Sequence, residues 1–253
     1  MLHRILIVTA VAAEADSVST GLGLGGQELV PLPGGFVLRR HTDGTAPTGR
    51  VDVLVGGVGP AAVAAATGTA LAYASMTETG ADAPYDLIVS AGIAGGFVPL
   101  APIGSIVVSA SVVAADLGAQ TPDGYLTVDE LGFGRSAHPV PEALTGRIAA
   151  ALHAGGRAHT VGPVLTVSTV TGTAGRAAEL AARHPGAAAE AMEGFGVAEA
   201  AAAYGVPVVE VRAVSNAVGP RDRAAWRIGE ALESLGHAFG LLGKTVFVDL
   251  DPS

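Results

Sequence analysis

The sequence contains no cysteine among its 253 residues. Disulfide bonds, thiolate metal sites and cysteine nucleophiles are therefore all excluded. The absence is compatible with a reducing compartment, where disulfides are rare. The seven histidines show no H-x-x-x-H or similar ligand spacing. We expect a protein that works without a metal ion or another cofactor.

Basic residues are also scarce. Fourteen Lys and Arg stand against 23 Asp and Glu, which gives a formal net charge of -9. Binding to the phosphate backbone of nucleic acids depends on Lys and Arg that release counterions. A nucleic-acid partner is therefore not expected, and a small-molecule partner fits the composition better.

Charged residues make up only 15% of the chain, and residues 87–115 contain none. That stretch is long enough to span a bilayer. Its glycines and prolines break it into a strand at Leu87–Ala91, a tight loop, and a strand at Gly104–Val113, so we expect no membrane segment. Residues 1–10 lack the length and cleavage site of an export signal, and the expected location is cytoplasmic.

Apolar, β-branched runs recur along the chain with helical stretches between some of them. The predicted strands are Arg4–Ala10, Gly35–Arg40, Val51–Gly56, Leu87–Ser90, Ser105–Val113, Val161–Val170 and Val206–Ser215. The predicted helices are Ala12–Thr20, Pro60–Thr77, Pro141–Ala154, Thr173–His184, Glu193–Tyr204 and Asp222–Leu242. This pattern indicates a three-layer α/β/α sandwich with a central mixed sheet, in a single domain over residues 1–253. Gln120–Pro139 is predicted to be an irregular loop that serves as a lid or a subunit contact.

Segments with an acidic residue or several glycines follow three of these strands, at the edge where ligands bind in such sheets. Glu14 lies early in the first helix, Gly56–Pro60 follows the third strand, and Ala91–Phe97 follows the fourth. A simple capping role would also explain Glu14, because acids are favoured in the first turn of a helix. Neither glycine string is a phosphate-binding loop or a dinucleotide fingerprint, so each is a weak indication alone.

One carboxylate and one amide indicate the ligand more specifically than the glycine segments do. The segment Ala191–Ala200 places Glu193 among small residues, and the strand Val206–Ser215 ends in Asn216. A Glu carboxylate has two acceptor oxygens at the spacing of a vicinal diol, and an Asn amide matches the N7/O6 edge of a purine. The pair predicts a site for a ribose and a purine. The alternative for Glu193 is an ordinary helix with a solvated acid.

Taken in order, several segments resemble the nucleoside phosphorylase superfamily over nearly the whole chain. They are Ile5–Ala10 with Glu14, Gly57–Gly59, Ser90–Gly96, Ile103–Ser109, Ala191–Glu193 and Val211–Asn216. The chain is most similar to the nucleosidase branch, which contains the methylthioadenosine/adenosylhomocysteine nucleosidases and the futalosine hydrolases. This resemblance implies hydrolysis of an N-glycosidic bond and a homo-oligomer.

The resemblance also implies residue roles. Glu14 would activate the attacking water, Arg212 would lie near that water, and Asn216 would stabilise the departing base. Met192 and Glu193 would hold the ribose, and Trp226 would lie at the 5′ side of the substrate. The remaining implied substrate-binding residues are Ile93, Ala94 and Gly95, with Gly172 and Thr173 at the purine.

Two departures from the family pattern refine the substrate. The adenine-specific nucleosidases have Asp where this chain has Asn216, and Ser where it has Ile93. A neutral amide donates to N7 or O6, which suits hypoxanthine and favours a 6-oxopurine. The string Asn216–Asp222 followed by Trp226 looks like the futalosine hydrolase version of this region.

That likeness implies futalosine as the substrate, an inosine-like nucleoside with a carboxyphenyl ketone on its 5′ side, and a role in menaquinone biosynthesis. Three arginines are candidates for binding the carboxylate of this substrate, although a solvated helix face explains each of them as well: Arg221, Arg223 and Arg227.

Several other functions remain open. A methylthioadenosine/adenosylhomocysteine-type nucleosidase would need a 6-amino base. Phosphorolysis would need a basic phosphate site, and Ser90–Pro102 contains no basic residue. A non-catalytic purine-nucleoside binding protein would have little use for both Glu14 and Glu193. A dinucleotide-dependent redox enzyme is disfavoured because Thr9–Glu14 lacks the glycines of a pyrophosphate turn.

Overall fold

The computed structural model describes residues 2–42, 49–77 and 84–250. The strands are β1 (Arg4–Thr9), β2 (Gln27–Pro31), β3 (Val37–His41), β4 (Arg50–Val55), β5 (Leu87–Gly96), β6 (Ile106–Ala114), β7 (Gly118–Thr121), β8 (Gly124–Thr127), β9 (Ala137–Pro139), β10 (His159–Thr166), β11 (Ala189–Ala191) and β12 (Val208–Ala217). The helices are α1 (Ala12–Leu22), α2 (Pro60–Thr77), α3 (Glu142–Ala154), α4 (Ala174–Arg183), α5 (Gly194–Ala203) and α6 (Ile228–Leu242).

The central sheet is mixed. Its strands follow the order β11-β10-β6-β12-β5-β1-β4-β3-β2, and β9 pairs with β6 outside this path. The inner pairs β4–β1, β1–β5 and β5–β12 are parallel, whereas β12 and β6 run antiparallel. The parallel strands are covered on both faces, which explains why β1 is a continuous apolar run with Ile5, Leu6 and Ile7 fully buried.

One end of this sheet closes on itself. Strand β5 pairs with β12 on one side and, over its last two residues, with β11 on the other. Because β11 also pairs with β10, the strands β5, β12, β6, β10 and β11 form a ring. Gly95 of β5 is in register with Asn216 of β12 and with Glu190 of β11.

Helices complete the outer layers. Helix α6 packs against α1 and α3, while α2 packs against α5, and each group also contacts the sheet. The predicted three-layer α/β/α fold with a mixed sheet is therefore confirmed. The assignment of residues 1–253 to a single domain stays a prediction. In the described part of the chain, no helix is long and apolar enough to cross a membrane.

Most predicted elements are found with small shifts at their ends, but three predictions are wrong. The segment after Ala91 was expected to be a tight loop, whereas β5 continues to Gly96 because β12 and β11 pair with it on both sides. Strand β10 ends at Thr166 rather than Val170. Helix α6 begins at Ile228 rather than Asp222, because Arg223–Ala225 form a short 3₁₀ turn and Trp226 is extended.

The predicted irregular loop Gln120–Pro139 is also partly wrong. Strands β7 and β8 form a two-stranded antiparallel hairpin, and β9 joins the main sheet beside β6. The unpredicted strands β2 and β11 are short and lack an alternating apolar pattern. They are strands because neighbouring strands pair with them.

Candidate active site

A cavity of about 270 Å³ opens at the carboxyl ends of β1, β5 and β12. This is the edge where ligands bind in open α/β sheets. It collects side chains from distant parts of the sequence and holds eight of the eleven predicted site residues. The lining residues are Ala10, Val11, Glu14, Val58, Ile93, Ala94, Gly95, Val170, Thr171, Glu190, Ala191, Met192, Glu193, Ser215, Asn216, Val218 and Trp226.

Glu14 is buried in the first turn of α1, and its carboxylate accepts three backbone N–H groups. Oε2 accepts from Ala10 at 3.0 Å and Val11 at 3.2 Å, and Oε1 accepts from Ile93 at 2.9 Å. The bonds to Ala10 and Val11 are those of a helix-start capping residue. The bond from Ile93 is different, because it ties the carboxylate to the end of β5 inside the cavity. Glu14 is thus both a cap and a fixed cavity acid.

Arg212 lies directly behind this carboxylate and does not line the cavity. Gly92 separates the two side chains: a Cβ added at residue 92 would lie 2.5 Å from both Glu14 Oε1 and Arg212 Nη1. Only glycine permits this approach. The guanidinium of Arg212 therefore reaches the Glu14 carboxylate from within the sheet, and its predicted position near the attacking water stays a prediction.

Arg212 is almost fully buried and joins a cluster of carboxylates. It contacts Glu210 Oε1 at 2.7 Å and Glu193 Oε2 at 3.2 Å, and it also donates to Ser90 Oγ at 3.2 Å. Burial alone would lower the pKa of Arg212, but the neighbouring carboxylates of Glu210, Glu193 and Glu14 raise it above its ordinary value. The guanidinium is therefore a permanent cation shared by these acids.

Glu210 is the deepest member of this cluster. Its side chain is fully buried, and burial raises its pKa although Arg212 opposes the shift. Its Oε2 has no hydrogen-bond partner among the described residues. Sequence reasoning missed this acid. The alternation of Glu210 and Arg212 on one face of β12 was the available signal.

Glu193 directly precedes α5, and its side chain lines the cavity. Oε1 accepts from the Gly59 backbone N–H, and Oε2 accepts from that of Met192, both at 3.3 Å. With the contact to Arg212, these bonds fix the carboxylate on the cavity wall. The alternative of a solvated helix acid is wrong, because Glu193 is only 6% exposed.

Asn216 follows an irregularity in β12. The register with β5 shifts between Val214 and Asn216, and both Ser215 and Asn216 line the cavity as a result. Asn216 Oδ1 lies 2.9 Å from the Ser215 hydroxyl, and Nδ2 donates to the Ala217 carbonyl at 3.0 Å. These contacts orient the amide and leave one Nδ2 hydrogen for a ligand. Ser215 is a second residue that sequence reasoning missed.

Trp226 lies at the cavity with two arginines beside its ring. The guanidinium carbons of Arg221 and Arg223 are 5.5 Å and 5.9 Å from the ring centroid. Neither forms an ion pair with a carboxylate in the described ranges. Arg227 instead donates to the carbonyls of Ala224 and Trp226 and faces Glu230 at 3.8 Å.

Gly172 and Thr173 do not line the cavity. Thr173 caps α4 by accepting the Arg176 N–H at 3.2 Å, and Arg221 packs near Gly172. The preceding Val170 and Thr171 line the cavity in their place. Across residues 2–42, 49–77 and 84–250, no group of three or more His, Asp or Glu side chains is arranged to hold a metal ion.

Comparison with known proteins identifies the family of this chain. The model of the phosphorylase superfamily matches residues 4–246. A futalosine hydrolase of Streptomyces coelicolor is 57% identical over 243 residues, which cover 96% of each chain. This chain is a member of the phosphorylase superfamily, in its futalosine hydrolase family. A second member of that family, from Acidothermus cellulolyticus, is 48% identical over 94% of this chain and 89% of its own.

The futalosine hydrolase family is also represented among solved structures. The native structure of futalosine hydrolase of Helicobacter pylori superposes with a TM-score of 0.78 over 96% of this chain and 98% of that one. At 18% identity, this likeness supports the fold alone. The family model and the two relatives, rather than this structure, confirm the resemblance to the superfamily. The functions of individual site residues remain predictions.

Proposed function

We propose that this protein hydrolyses the N-glycosidic bond of futalosine and releases hypoxanthine. Two relatives at 57% and 48% identity over nearly the whole chain are futalosine hydrolases. The observation that carries the proposal in this chain is one cavity in which Glu14, Glu193 and Asn216 meet. These residues supply what the reaction needs: a base for water, a support for the sugar and a donor for the leaving group.

Glu14 is proposed as the general base. Its carboxylate would take a proton from a water molecule beside the anomeric carbon as the bond to the base breaks. A positioned general base typically contributes about 10²- to 10⁴-fold to the rate. The three N–H donors around Glu14 support this role, because they hold the carboxylate in one orientation at the cavity.

Glu193 is proposed to bind the ribose hydroxyls, with Met192 under the sugar. By analogy with glycoside hydrolysis, the sugar gains positive charge in an oxocarbenium-like transition state. A carboxylate beside the sugar stabilises that charge more than it stabilises the neutral substrate, and only such differential binding accelerates the reaction. Arg212 is a positioning residue here, because its contact with Glu193 fixes the carboxylate.

Asn216 is proposed to stabilise the departing hypoxanthine. One Nδ2 hydrogen would donate to N7 or O6 as negative charge develops on the base. The departing base then takes up one proton, which balances the proton that water gives to Glu14, and leaves as neutral hypoxanthine. The Ser215 hydroxyl supports this orientation, because its hydrogen bond to Oδ1 directs the NH₂ group away from Ser215. The other product follows from the bond cleaved: it is dehypoxanthine futalosine, an intermediate of menaquinone biosynthesis.

Trp226 and its neighbouring arginines are proposed to bind the 5′ carboxyphenyl group. An aromatic ring stacks on tryptophan, and a carboxylate pairs with a guanidinium. Arg221 and Arg223 are the better candidates of the three arginines, since Arg227 is already bonded to two carbonyls.

Phosphorolysis is disfavoured by the same geometry. No Lys or Arg is among the described residues that line the cavity, and the nearby Arg212 is committed to Glu193 and Glu210. A 6-amino substrate is disfavoured by Asn216, as argued from its amide chemistry. A binding protein without activity is disfavoured because it would not need the buried Glu14 carboxylate facing the sugar.

The deciding experiment is a product assay on futalosine, inosine and methylthioadenosine, each with and without phosphate. We expect hypoxanthine from futalosine, at a rate independent of phosphate, and a much lower specificity constant for the other two nucleosides. Release of adenine from methylthioadenosine with no reaction of futalosine would contradict the proposal. A requirement for phosphate would instead identify a phosphorylase.

Two further features belong to the proposal. A homo-oligomer is favoured by large apolar side chains that are exposed, including Phe133 at 82% and Val98 at 58%, since such residues are typical of contact surfaces. Sedimentation analysis would test it. A cytoplasmic location fits the lack of cysteine, and fractionation of the source cells would test that.

A further inference from the structure

One buried acid of the cavity has no role in the mechanism above. Glu190 lies in β11, is only 5% exposed and lines the cavity. Its Oε1 accepts the Thr171 backbone N–H at 2.9 Å, and its Oε2 accepts the Thr171 hydroxyl in a short hydrogen bond. An ionised carboxylate has about four acceptor sites. The two bonds from Thr171 therefore leave acceptor sites of the Glu190 carboxylate free for a ligand in the cavity.

The sheet places Glu190 opposite Asn216. Both residues are in register with Gly95, Glu190 from β11 and Asn216 from β12. Residues in register on neighbouring strands project to the same face of a sheet, and strands lie about 4.8 Å apart. Glu190 and Asn216 therefore stand about two strand spacings apart, on either side of Gly95.

Gly95 keeps the space between them open. A Cβ added there would lie 3.0 Å from Val218 Cγ2 and 3.3 Å from Asn216 Nδ2, so it would enter the cavity beside the amide. Because Gly95 has no side chain, the space between the Asn216 amide and the Glu190 carboxylate stays open. A planar purine bound in this space would present one edge to each side chain.

The chemistry of the two edges matches these side chains. Hypoxanthine carries a hydrogen on N1, whereas adenine has a lone pair there. A carboxylate only accepts hydrogen bonds, so it binds the first base and repels the second. Burial raises the pKa of Glu190, and the two bonds from Thr171 oppose that shift by favouring the ionised acceptor.

We propose that Glu190 accepts a hydrogen bond from N1–H of the base, so that Glu190 and Asn216 together select a 6-oxopurine from its two edges. This inference rests on the proposed function, because it assigns the base of the same substrate. It adds a second specificity-determining residue, independent of the N7/O6 contact at Asn216.

The first test compares futalosine with its 6-amino analogue in the wild type and in Glu190→Gln. The Gln amide can accept from the Thr171 N–H and donate to the Thr171 hydroxyl, so the fold should be retained. It also offers a donor to the N1 lone pair of the amino base. We expect the ratio of the two kcat/KM values to fall at least about tenfold in this variant. The matched control Glu179→Gln, on the exposed face of α4, should keep the wild-type ratio.

The second test measures binding of free bases and needs no turnover. Trp226 is the only tryptophan of the chain and lines the cavity, so its fluorescence reports binding of free bases. We expect the wild type to bind hypoxanthine at least about tenfold more tightly than 1-methylhypoxanthine, which lacks N1–H. Glu190→Gln should reduce that difference.

The outcomes separate the two hypotheses. If the wild type prefers futalosine but Glu190→Gln keeps the same ratio, Glu190 does not read the base, and the proposed function stands. Equal binding of hypoxanthine and its 1-methyl derivative by the wild type would also overturn the inference. If the wild type does not cleave futalosine at all, the proposed function fails, and the base titration still decides the role of Glu190.

Discussion

Replacing Glu14 with Gln tests the proposed general base, and the hydrogen bonds of Glu14 set the expected loss of stability. The carboxylate accepts one N–H at Oε1, from Ile93, and two at Oε2, from Ala10 and Val11. An amide has only one oxygen, so its NH₂ must face a donor. We expect it to face Ile93, because that orientation loses one bond rather than two. An N–H group left without an acceptor costs about 1 to 3 kcal/mol.

The expected stability loss is therefore modest, and in a chain of this size each kcal/mol lowers Tm by about 2–4 °C. The expected loss of turnover is larger, at least about a hundredfold, because an amide cannot take the proton from water. Substrate affinity should change little. The two effects can be separated by measuring hypoxanthine release and thermal unfolding on the same sample.

Glu230→Gln is the matched control, since Glu230 lies in the first turn of α6 with an exposed side chain. It makes the same chemical change at another helix start and should retain full turnover. Unchanged turnover of a folded Glu14→Gln protein would refute the catalytic role. A loss of turnover that only follows the unfolded fraction would leave Glu14 as a helix cap.

Three other predictions concern the sugar, the base and acid stability. Glu193→Ala should lose the wild-type preference for futalosine over its 2′-deoxy analogue, because a charge-assisted hydrogen bond contributes about 1.5 to 3 kcal/mol, or roughly 10- to 150-fold; equal discrimination by both proteins would make Glu193 structural only. Asn216→Asp should shrink or reverse the roughly ten- to hundredfold preference for futalosine over its 6-amino analogue, measured as kcat/KM, and an unchanged ratio would remove Asn216 as a selector. Asp52 is fully buried, and although burial would raise its pKa, Arg40 and Arg50 hold it below the ordinary value of about 3.9. The stabilisation that the ionised Asp52 contributes to the fold is complete above about pH 3.9 and is lost as the pH falls through its folded-state pKa. Asp52→Asn should therefore be less stable than the wild type at pH 7, and the difference between their free energies of unfolding should narrow below about pH 3.9. A pH-independent difference would contradict this.

The part of the fold that the sequence predicts is the part decided locally. Helix α2 begins at Pro60, as its proline predicts. Asp222 has the pattern of a helix cap, and its side chain does accept the Ala224 N–H, but only a 3₁₀ turn follows. The start of α6 depends on packing rather than on this cap.

The missed elements are decided by partners. Strand β11 has three residues and no periodicity, and it forms because β10 and β5 pair with it. The position of Glu190 in the cavity follows from that pairing and could not be predicted from the sequence alone. The same holds for Ser215, because the shift of register in β12 exists only relative to β5.

The candidate site shows the same division. Glu14, Glu193 and Asn216 each stand beside a recognisable local pattern, and the structure brings all three to one cavity. The contact that Arg212 of β12 makes with Glu193, after β11, depends on how the strands are arranged. Gly172 and Thr173 do not line the cavity, whereas the preceding Val170 and Thr171 do, because Thr173 caps the start of α4.

The ring of five strands has a consequence for how substrate choice can change. Glu190, Gly95 and Asn216 lie in one row across three strands of that ring, and the separation between the outer two is set by backbone hydrogen bonds. A ring has no free edge, so this distance cannot widen without breaking several of those bonds together. The backbone distance between positions 190 and 216 is therefore fixed by the strand pairing. On the roles proposed for Glu190 and Asn216, a different base would require other side chains at these two positions, because the backbone distance between them stays the same.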